Sequence, residues 1–364
     1  MPRRTTRARA ARAEAAAAPF EIAGAKVAPG ERRTVDLSIA RFYTHSEMTM
    51  PVHVVHGRRP GPRLFISAAM HGDEINGVEI IRRLIRLPLL DRLHGVLIAV
   101  PIVNVHGFIA QSRYLPDRRD LNRSFPGSGH GSLASRLAHL FTQEVVSRST
   151  HGIDLHTGAL HRSNLPQVRA RLEDAETLRL AEAFHVPVLI NAEVRAGSVR
   201  EVATRLGIPV LVYEGGEALR FDEDSIRVGL RGVVGVMREL GMLSPARPKR
   251  PRHAGDSVIA RSTSWLRAPS GGILRTLLPL GSHVRRGEVL GMVSDPFGER
   301  EIALEAPTHG IVIGCLNLPL VNEGDAVFHI ARFGRLREAA ARVAEFRSRQ
   351  QELDPELVEE ASAD

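Results

Sequence analysis

Residues 63–87, RLFISAAMHGDEINGVEIIRRLIRL, open as an apolar run and close as a helical pattern. The first part, 63–69, has the composition of a buried strand. From about 77 to 87, Val78, Ile81, Leu84 and Ile85 recur at helical spacing. Met70 to Glu74 must therefore turn the chain from strand to helix, and Gly72 and Gly77 allow that turn to be tight.

The same alternation continues outward from this unit. Apolar strand-like runs at 95–103, 152–155, 187–190 and 209–213 are interleaved with helical patterns at 133–146, 178–184 and 225–240. From Phe20 to about Pro51 come short β-like pieces such as 35–39. Strands alternating with helices predict an α/β fold over residues 19–243, a mixed, mostly parallel sheet flanked by helices. In such sheets ligands collect at the carboxyl ends of the strands. Residues 244–253, rich in proline and arginine, read as a linker. Beyond it, 254–333 changes to short strands and many glycines, and it repeats itself. APSGGI at 268–273 returns as APTHGI at 306–311, and VRRG at 284–287 returns as VNEG at 321–324. Two similar halves predict a smaller C-terminal all-β domain, a barrel or sandwich with pseudo-twofold symmetry. Residues 336–343 read as a surface helix within a helical and acidic tail, 334–364. Residues 1–18, charged and alanine-rich without a hydrophobic period, read as a disordered basic tail.

Composition excludes several classes of function. The formal charge is +8 and the pI is near 10.6, but Lys26 and Lys249 are the only lysines, so the basicity is an arginine bias. Part of it sits in the N-terminal tail and around 247–252, and no RNA- or DNA-binding signature accompanies it. No nucleic-acid partner is expected. Cys315 is the only cysteine, which rules out an intramolecular disulfide and cysteine-based zinc sites. Within the apolar stretch 310–316 it reads as a small core residue. No apolar run reaches the roughly 18 residues of a membrane span, and residues 1–18 lack the apolar centre of a secretory signal. A cytoplasmic protein without a membrane partner is expected; homo-oligomers remain compatible.

Any metal site must then use His, Asp or Glu. His71 at the end of the first strand and Glu74 in the following turn are spaced so that an imidazole and a carboxylate can converge on one cation. Alone, the pair also fits a polar loop. A further ligand should come from another strand end, and GIDLHTG at 152–158 offers His156. In an extended segment Asp154 and His156 point the same way, so Asp154 can orient the ring from behind; a surface pair is the plain alternative. In RYLPDRRDLNRSFPG at 113–127, Asn122 and Arg123 suit a carboxylate, and Arg113 suits a developing oxyanion. Solvated surface charge is the competing account of each arginine. In VLVYEGGE at 210–217, Glu214 closes a buried strand where it could serve as a general base, with Glu217 as the rival.

HGDE at 71–74, the 113–127 segment, DLHTG at 154–158 and YEGG at 213–216, in this order, resemble the succinylglutamate desuccinylase/aspartoacylase family, a branch of the zinc carboxypeptidase-like superfamily. HTGALHRSNLPQVR at 156–169 resembles the bacterial members near the N-acetyl-diaminobutyrate deacetylases. The resemblance implies one Zn²⁺ per chain on His71, Glu74 and His156. It implies Arg113 polarising the scissile carbonyl, Asn122 and Arg123 holding the substrate carboxylate, and Glu214 as base. The Arg113–Asn122 spacing is longer than in aspartoacylase, which leaves Arg118 and Arg119 as alternatives. His161, Asn164 and Arg169 either line the substrate pocket or belong to a structural loop. The C-terminal repeat resembles a biotinyl/lipoyl-type hybrid barrel, yet it has no lysine to carry either group; its implied role is to narrow the entrance. The expected activity is hydrolysis of the acyl amide of a small N-acylated amino acid. A metallocarboxypeptidase of short peptides and a non-catalytic ligand-binding relative are the alternatives.

Overall fold

The structure, a computed structural model, describes residues 17–245 and 257–350. The basic tail up to residue 16, most of the 244–253 linker and the acidic end from residue 351 lie outside the described residues.

The apolar run of the opening unit becomes the strand Arg59–Ala68, whose second half is buried on both faces. It needs neighbours on both edges and has them: His94–Val100 and His151–Gly158 pair with it in parallel. Val210–Glu217 adds a fourth parallel strand beside His151–Gly158. Antiparallel strands extend this centre on both sides. Glu47–His56 and Arg32–Arg41 follow His94–Val100, and Arg162–Ala170 follows Val210–Glu217. The result is the expected mixed sheet.

Strand alternation divides the core in two. Leu64, Ile66, Ile153, Leu155, Leu211 and Tyr213 face the helices Asn76–Leu84, Ala175–Ala183 and Glu223–Glu239. Phe65, Ile98 and Val210 face Leu133–Glu144 and Val199–Arg205 on the other side. Asn76–Leu84 lies close enough to the sheet that a Cβ on Gly77 would stand 2.7 Å from the Cβ atoms of Ala68 and Leu155. Glycine there is a packing requirement.

Two segments differ from the sequence reading. The short strand at 152–155 extends to His151–Gly158, because Asp154, His156 and Thr157 are buried by partners that a hydrophobicity pattern does not reveal. The 161–169 segment is a strand, Arg162–Ala170, despite Pro166. The ladder to Val210–Glu217 skips at that point, between the pairs Glu214↔Gln167 and Gly216↔Asn164, so the missing proline N–H costs no ladder bond there.

The sheet continues into the C-terminal strands. Gly310–Leu316 pairs with Arg162–Ala170, Ala326–Arg332 pairs with Gly310–Leu316, and Ser262–Arg267 pairs with Ala326–Arg332. The sequence repeat appears as an exchange between its halves. Val284 pairs with Gly310 and Val321 with Gly272, so the end of each half is bonded to the start of the other. Gly287 N donates to Ala306 O, and Gly324 N donates to Ala268 O, each at 2.9 Å. The helix at the end runs Leu336–Gln350 and is more than a surface helix: Ala339 and Val343 are buried against Leu165, Val188 and Ile311. Among the described residues no helix is long and apolar enough to cross a membrane.

On Ser262–Arg267, Trp265 stacks on His329 of the neighbouring strand, with ring centroids 4.6 Å apart and 5° between planes. Burial first, and the charge of Arg169 second, push the His329 pKa down to about 3.

Two predictions concern stability. Gly77→Ala gains up to about 1 kcal/mol of helix propensity but forces two fixed Cβ contacts. A net loss of about 1–2 kcal/mol and a melting temperature lower by a few degrees are expected, as read by calorimetry. His329 has a folded pKa below its unfolded value, so the unfolded chain takes the proton first. Its contribution to stability is complete above about pH 6.5 and is eroded as the pH falls towards 3. His329→Phe, which keeps an aromatic ring on Trp265, should flatten the urea-derived stability slope between about pH 6.5 and 5 by up to about 1.4 kcal/mol per pH unit.

Candidate active site

After Ala68 the chain turns sharply. Ala69 has φ 48°, Glu74 N donates to His71 O, and Gly72 packs directly on backbone, where a Cβ would fall 1.9 Å from Gly107 C. No side chain fits there, and the turn directs His71 and Glu74 into the same place. His156 arrives from the carboxyl end of the adjacent parallel strand. All three are buried.

Glu74 joins the two rings. Its Oε1 lies 2.7 Å from His71 Nδ1 and its Oε2 lies 2.7 Å from His156 Nδ1, with Thr157 N donating to Oε2 at 3.2 Å. The far nitrogen of each ring has a carboxylate of its own: His156 Nε2 is 2.8 Å from Asp154 Oδ2, and His71 Nε2 is 3.2 Å from Asp120 Oδ1. Asp154 is itself held by Ser67 Oγ at 2.7 Å. A ring whose Nε2–H is committed to a carboxylate presents its Nδ1 lone pair to the cluster.

These atoms suit a metal ion. One donor atom from each of His71, Glu74 and His156 lies within 4.8 Å of the others, a spacing compatible with ligands about 2.0–2.2 Å from one centre. The charges agree. With neutral rings, Glu74, Asp120 and Asp154 against Arg113 leave two negative charges for a divalent cation to balance. Burial disfavours a charged ring at both histidines, but the surrounding carboxylates outweigh it and raise both pKa values. Burial alone would likewise raise Glu74, yet the two imidazoles hold it far below the usual carboxylate range. The cluster thus demands positive charge at its centre.

Arg113 leans over the cluster. Its Nη2 donates to Asp120 Oδ2 at 3.0 Å, and its Nη1 lies 3.3 Å from Glu74 Oε1. Arg118 and Arg119 do not line the cavity that opens from this cluster. Asn122 Oδ1 accepts from Val199 N at 3.0 Å, which leaves its N–H₂ group for other partners, and Arg123 stands beside it on the cavity wall. Asp120 was missed in the sequence, although it stands two residues before Asn122 in the same motif. Nothing in the spacing links it to His71, 49 positions away.

Glu214 sits opposite His156 in the parallel ladder, on the same face of the sheet. Asn164 Nδ2 donates to its Oε2 at 2.8 Å, and Arg169 Nη1 is 3.8 Å from its Oε1. The bulge beside Pro166 is what turns Asn164 onto this face. Glu217, the rival acid, accepts from Asn317 Nδ2 at 2.8 Å and does not line the cavity. His161 is half-exposed, 4.0 Å from Glu217, and is not among the lining residues either. The cavity, about 230 Å³, is completed by side chains the sequence did not single out: Arg162, Arg195, Ser198, Arg200 and, from the C-terminal strands, Trp265. Arg162 lies over the Trp265 ring at 5.6 Å. In an arginine-rich chain none of these arginines carries a distinguishing signal.

Residues 60–240 match the succinylglutamate desuccinylase/aspartoacylase catalytic domain. The chain is 29% identical over 294 residues, 78% of its length and 85% of the relative's, to N-alpha-acetyl-L-2,4-diaminobutyric acid deacetylase of Halomonas elongata. It superposes on a succinylglutamate desuccinylase/aspartoacylase from Rhodobacter sphaeroides with TM-score 0.73 at 25% identity, covering 83% of this chain and 95% of the other. The product-bound ectoine utilization protein from Ruegeria pomeroyi shares the fold, with TM-score 0.74 at 24% identity over the same shares of the two chains.

The outer carboxylates are open to test. If the cluster holds a divalent metal, Asp120→Asn and Asp154→Asn should each weaken its binding by about 10–100-fold, measured with added Zn²⁺ by competition with a chromophoric chelator. An unchanged affinity in Asp120→Asn would show that this residue does not orient His71.

Proposed function

The chain belongs, through residues 60–240, to the succinylglutamate desuccinylase/aspartoacylase family, and from that premise we propose that it is a zinc-dependent amidohydrolase removing the acyl group from a small N-acylated amino acid. The observation that carries this reading is the convergence of the His71–Glu74–His156 cluster with an acid outside it, Glu214, on one cavity wall.

His71 and His156, through Nδ1, and Glu74, through a carboxylate oxygen, would hold the ion. Two imidazoles and one carboxylate, with space left on the cavity side, are the donor set of a catalytic zinc site. The ion, when bound, supplies a Lewis acid for the acyl carbonyl and lowers the pKa of water to about 7. Glu214 takes the proton of the attacking water and later returns it to the leaving nitrogen. Its bond from Asn164 and the nearby Arg169 hold it directed into the cavity. Arg113 directs guanidinium N–H groups at the oxygen on which negative charge develops. Asn122 and Arg123 hold the α-carboxylate, the amide as a single donor and the guanidinium as a fork. Asp154 and Asp120 fix the two rings.

Access supports a small substrate over a polypeptide. Trp265, from the C-terminal strands, and Arg162, from Arg162–Ala170, stand together at the cavity wall. This favours acyl amino acids over the chain ends that a metallocarboxypeptidase would take.

Glu214→Gln should retain one bound zinc by metal analysis and lose at least about 100-fold in kcat on an N-acyl amino acid, the usual weight of a general base. A variant with near wild-type turnover would remove Glu214 from that role. Wild-type protein should hydrolyse N-acyl amino acids in preference to dipeptides; faster turnover of peptides would favour the carboxypeptidase reading.

A further inference from the structure

A second hollow lies behind the catalytic cavity. Its volume is about 160 Å³, the share of about five waters in the liquid, and the same two strands form both spaces. Val212 pairs with Arg169, and both line the catalytic cavity. Two positions away, on the same face by strand alternation, Val210 and Arg171 line the second hollow. The two spaces are thus displaced by about 6.7 Å along the sheet. The helix Val199–Arg205 borders both: Val199 lines the first, Thr204 the second, and Arg200 each of them. Arg200 therefore stands between the two.

The hollow joins an apolar floor to charges of both signs. Ile208, Pro209 and Val210 form the floor. Arg171 is exposed and, among the described residues, has no carboxylate within ion-pair distance. Asp174 starts the helix Ala175–Ala183, and its Oδ1 accepts from both Thr177 N and Thr177 Oγ1, at 2.8 and 2.6 Å. Its other oxygen is left for a ligand. Arg200, nine-tenths buried, donates through Nη2 to Glu193 O at 2.6 Å, while its Nη1 has no hydrogen-bond partner among the described residues. A plain anion in this hollow would meet Asp174 and Glu176, and a plain cation would meet Arg171 and Arg200. A small molecule carrying both charges matches both sets.

We propose that the second hollow is an effector site for a small free amino acid, and that its occupancy weakens the binding of substrate in the catalytic cavity. The carboxylate of the zwitterion meets Arg171, its ammonium meets Asp174, and its side chain lies on the apolar floor. The site stands by itself; that the regulated reaction is a deacylation rests on the proposed function. A deacylase releases a free amino acid, so the effect is feedback by product. The coupling is electrostatic. Burial first, then the like charges of Arg169 and Arg195, push the Arg200 pKa down to about 10, so the charge of Arg200 is felt on the catalytic side. A carboxylate arriving behind Arg200 lowers the positive potential that the catalytic cavity offers to an anionic substrate. Linkage makes the effect reciprocal: the substrate weakens the amino acid by the same factor.

The test uses zinc-loaded full-length protein and three variants outside the catalytic machinery. Arg171→Gln removes the exposed cation, Asp174→Asn removes the charge but keeps a helix-capping side chain, and Thr204→Met fills the hollow from a helical position that tolerates methionine. Calorimetry with L-alanine and L-valine should show a binding component in the wild type that each variant loses by at least about tenfold. Propionate and ethylamine, which carry one charge each, should bind there at least about tenfold more weakly. In the hydrolysis of N-acetylalanine, the rise of KM caused by added alanine should be at least about fivefold smaller in Arg171→Gln and Thr204→Met than in the wild type. The values of kcat and KM without alanine should not change. Binding of the amino acids that is the same in the wild type and all three variants overturns the site. A variant-sensitive component that takes propionate as well as alanine overturns the zwitterion. Equal inhibition by alanine in the wild type and the variants overturns the coupling. A variant-sensitive amino-acid component in a protein that hydrolyses no acyl amino acid would keep the site and reject the deacylase reading.

Discussion

One buried carboxylate organises the site. Glu74 reaches both imidazoles at once, with an oxygen on each Nδ1, and it can do so only because two separate backbone features meet. The turn after Ala68 presents His71 and Glu74 together, and the parallel pairing of Arg59–Ala68 with His151–Gly158 brings His156 to the same height. A charged carboxylate inside a protein is unfavourable without compensation. Here the compensation comes from the rings, and the rings in turn are held by Asp154 and Asp120. Each group is tolerable because the next one is present. Removing any member leaves a charge uncompensated, which is why the arrangement is a unit and not a set of independent contacts.

The same reasoning extends along the cavity wall. Negative charge is concentrated at the cluster end, where a cation belongs, and positive charge on the opposite wall, where anions belong. The helix Val199–Arg205 connects the two ends, since Asn122 accepts its Val199 N from the 113–127 loop while Arg200 in its first turn lines the cavity. In the proposed reaction the fold would thereby keep metal, reacting amide and substrate carboxylate apart, each facing complementary charge.

The C-terminal strands complete the sheet and also the cavity. Gly314 pairs with Asn164, so the strand that bonds Glu214 on one side is braced on its other side by the C-terminal part. Trp265 and Asn317 come from there as well, the first as a wall and the second as the partner that occupies Glu217. The exchange of pairing between the two repeat halves ties this part into one piece, which gives the wall a rigid support.

Much of this was legible in the residues themselves. Apolar runs and helical spacing are local properties, so the central strands, their helices and the change of character beyond residue 253 could be read directly. His71, Glu74, His156 and Glu214 stand at strand ends, where a local pattern marks them. Asp154 was legible because strand alternation puts it on the side of His156. Asp120, Arg195, Arg200 and Trp265 were not, and neither was the strand containing Pro166. Their significance lies in which distant groups face them: an arginine reads as solvated charge until folding buries it away from any carboxylate, and an aspartate reads as a loop acid until an imidazole from elsewhere reaches it. The sequence by itself determined which segments extend, turn and coil, because those preferences act between near neighbours. Only the tertiary structure decided which charges are compensated and which are left for a ligand, because electrostatic complementarity depends on distance in space and on exclusion of water, and neither is written along the chain.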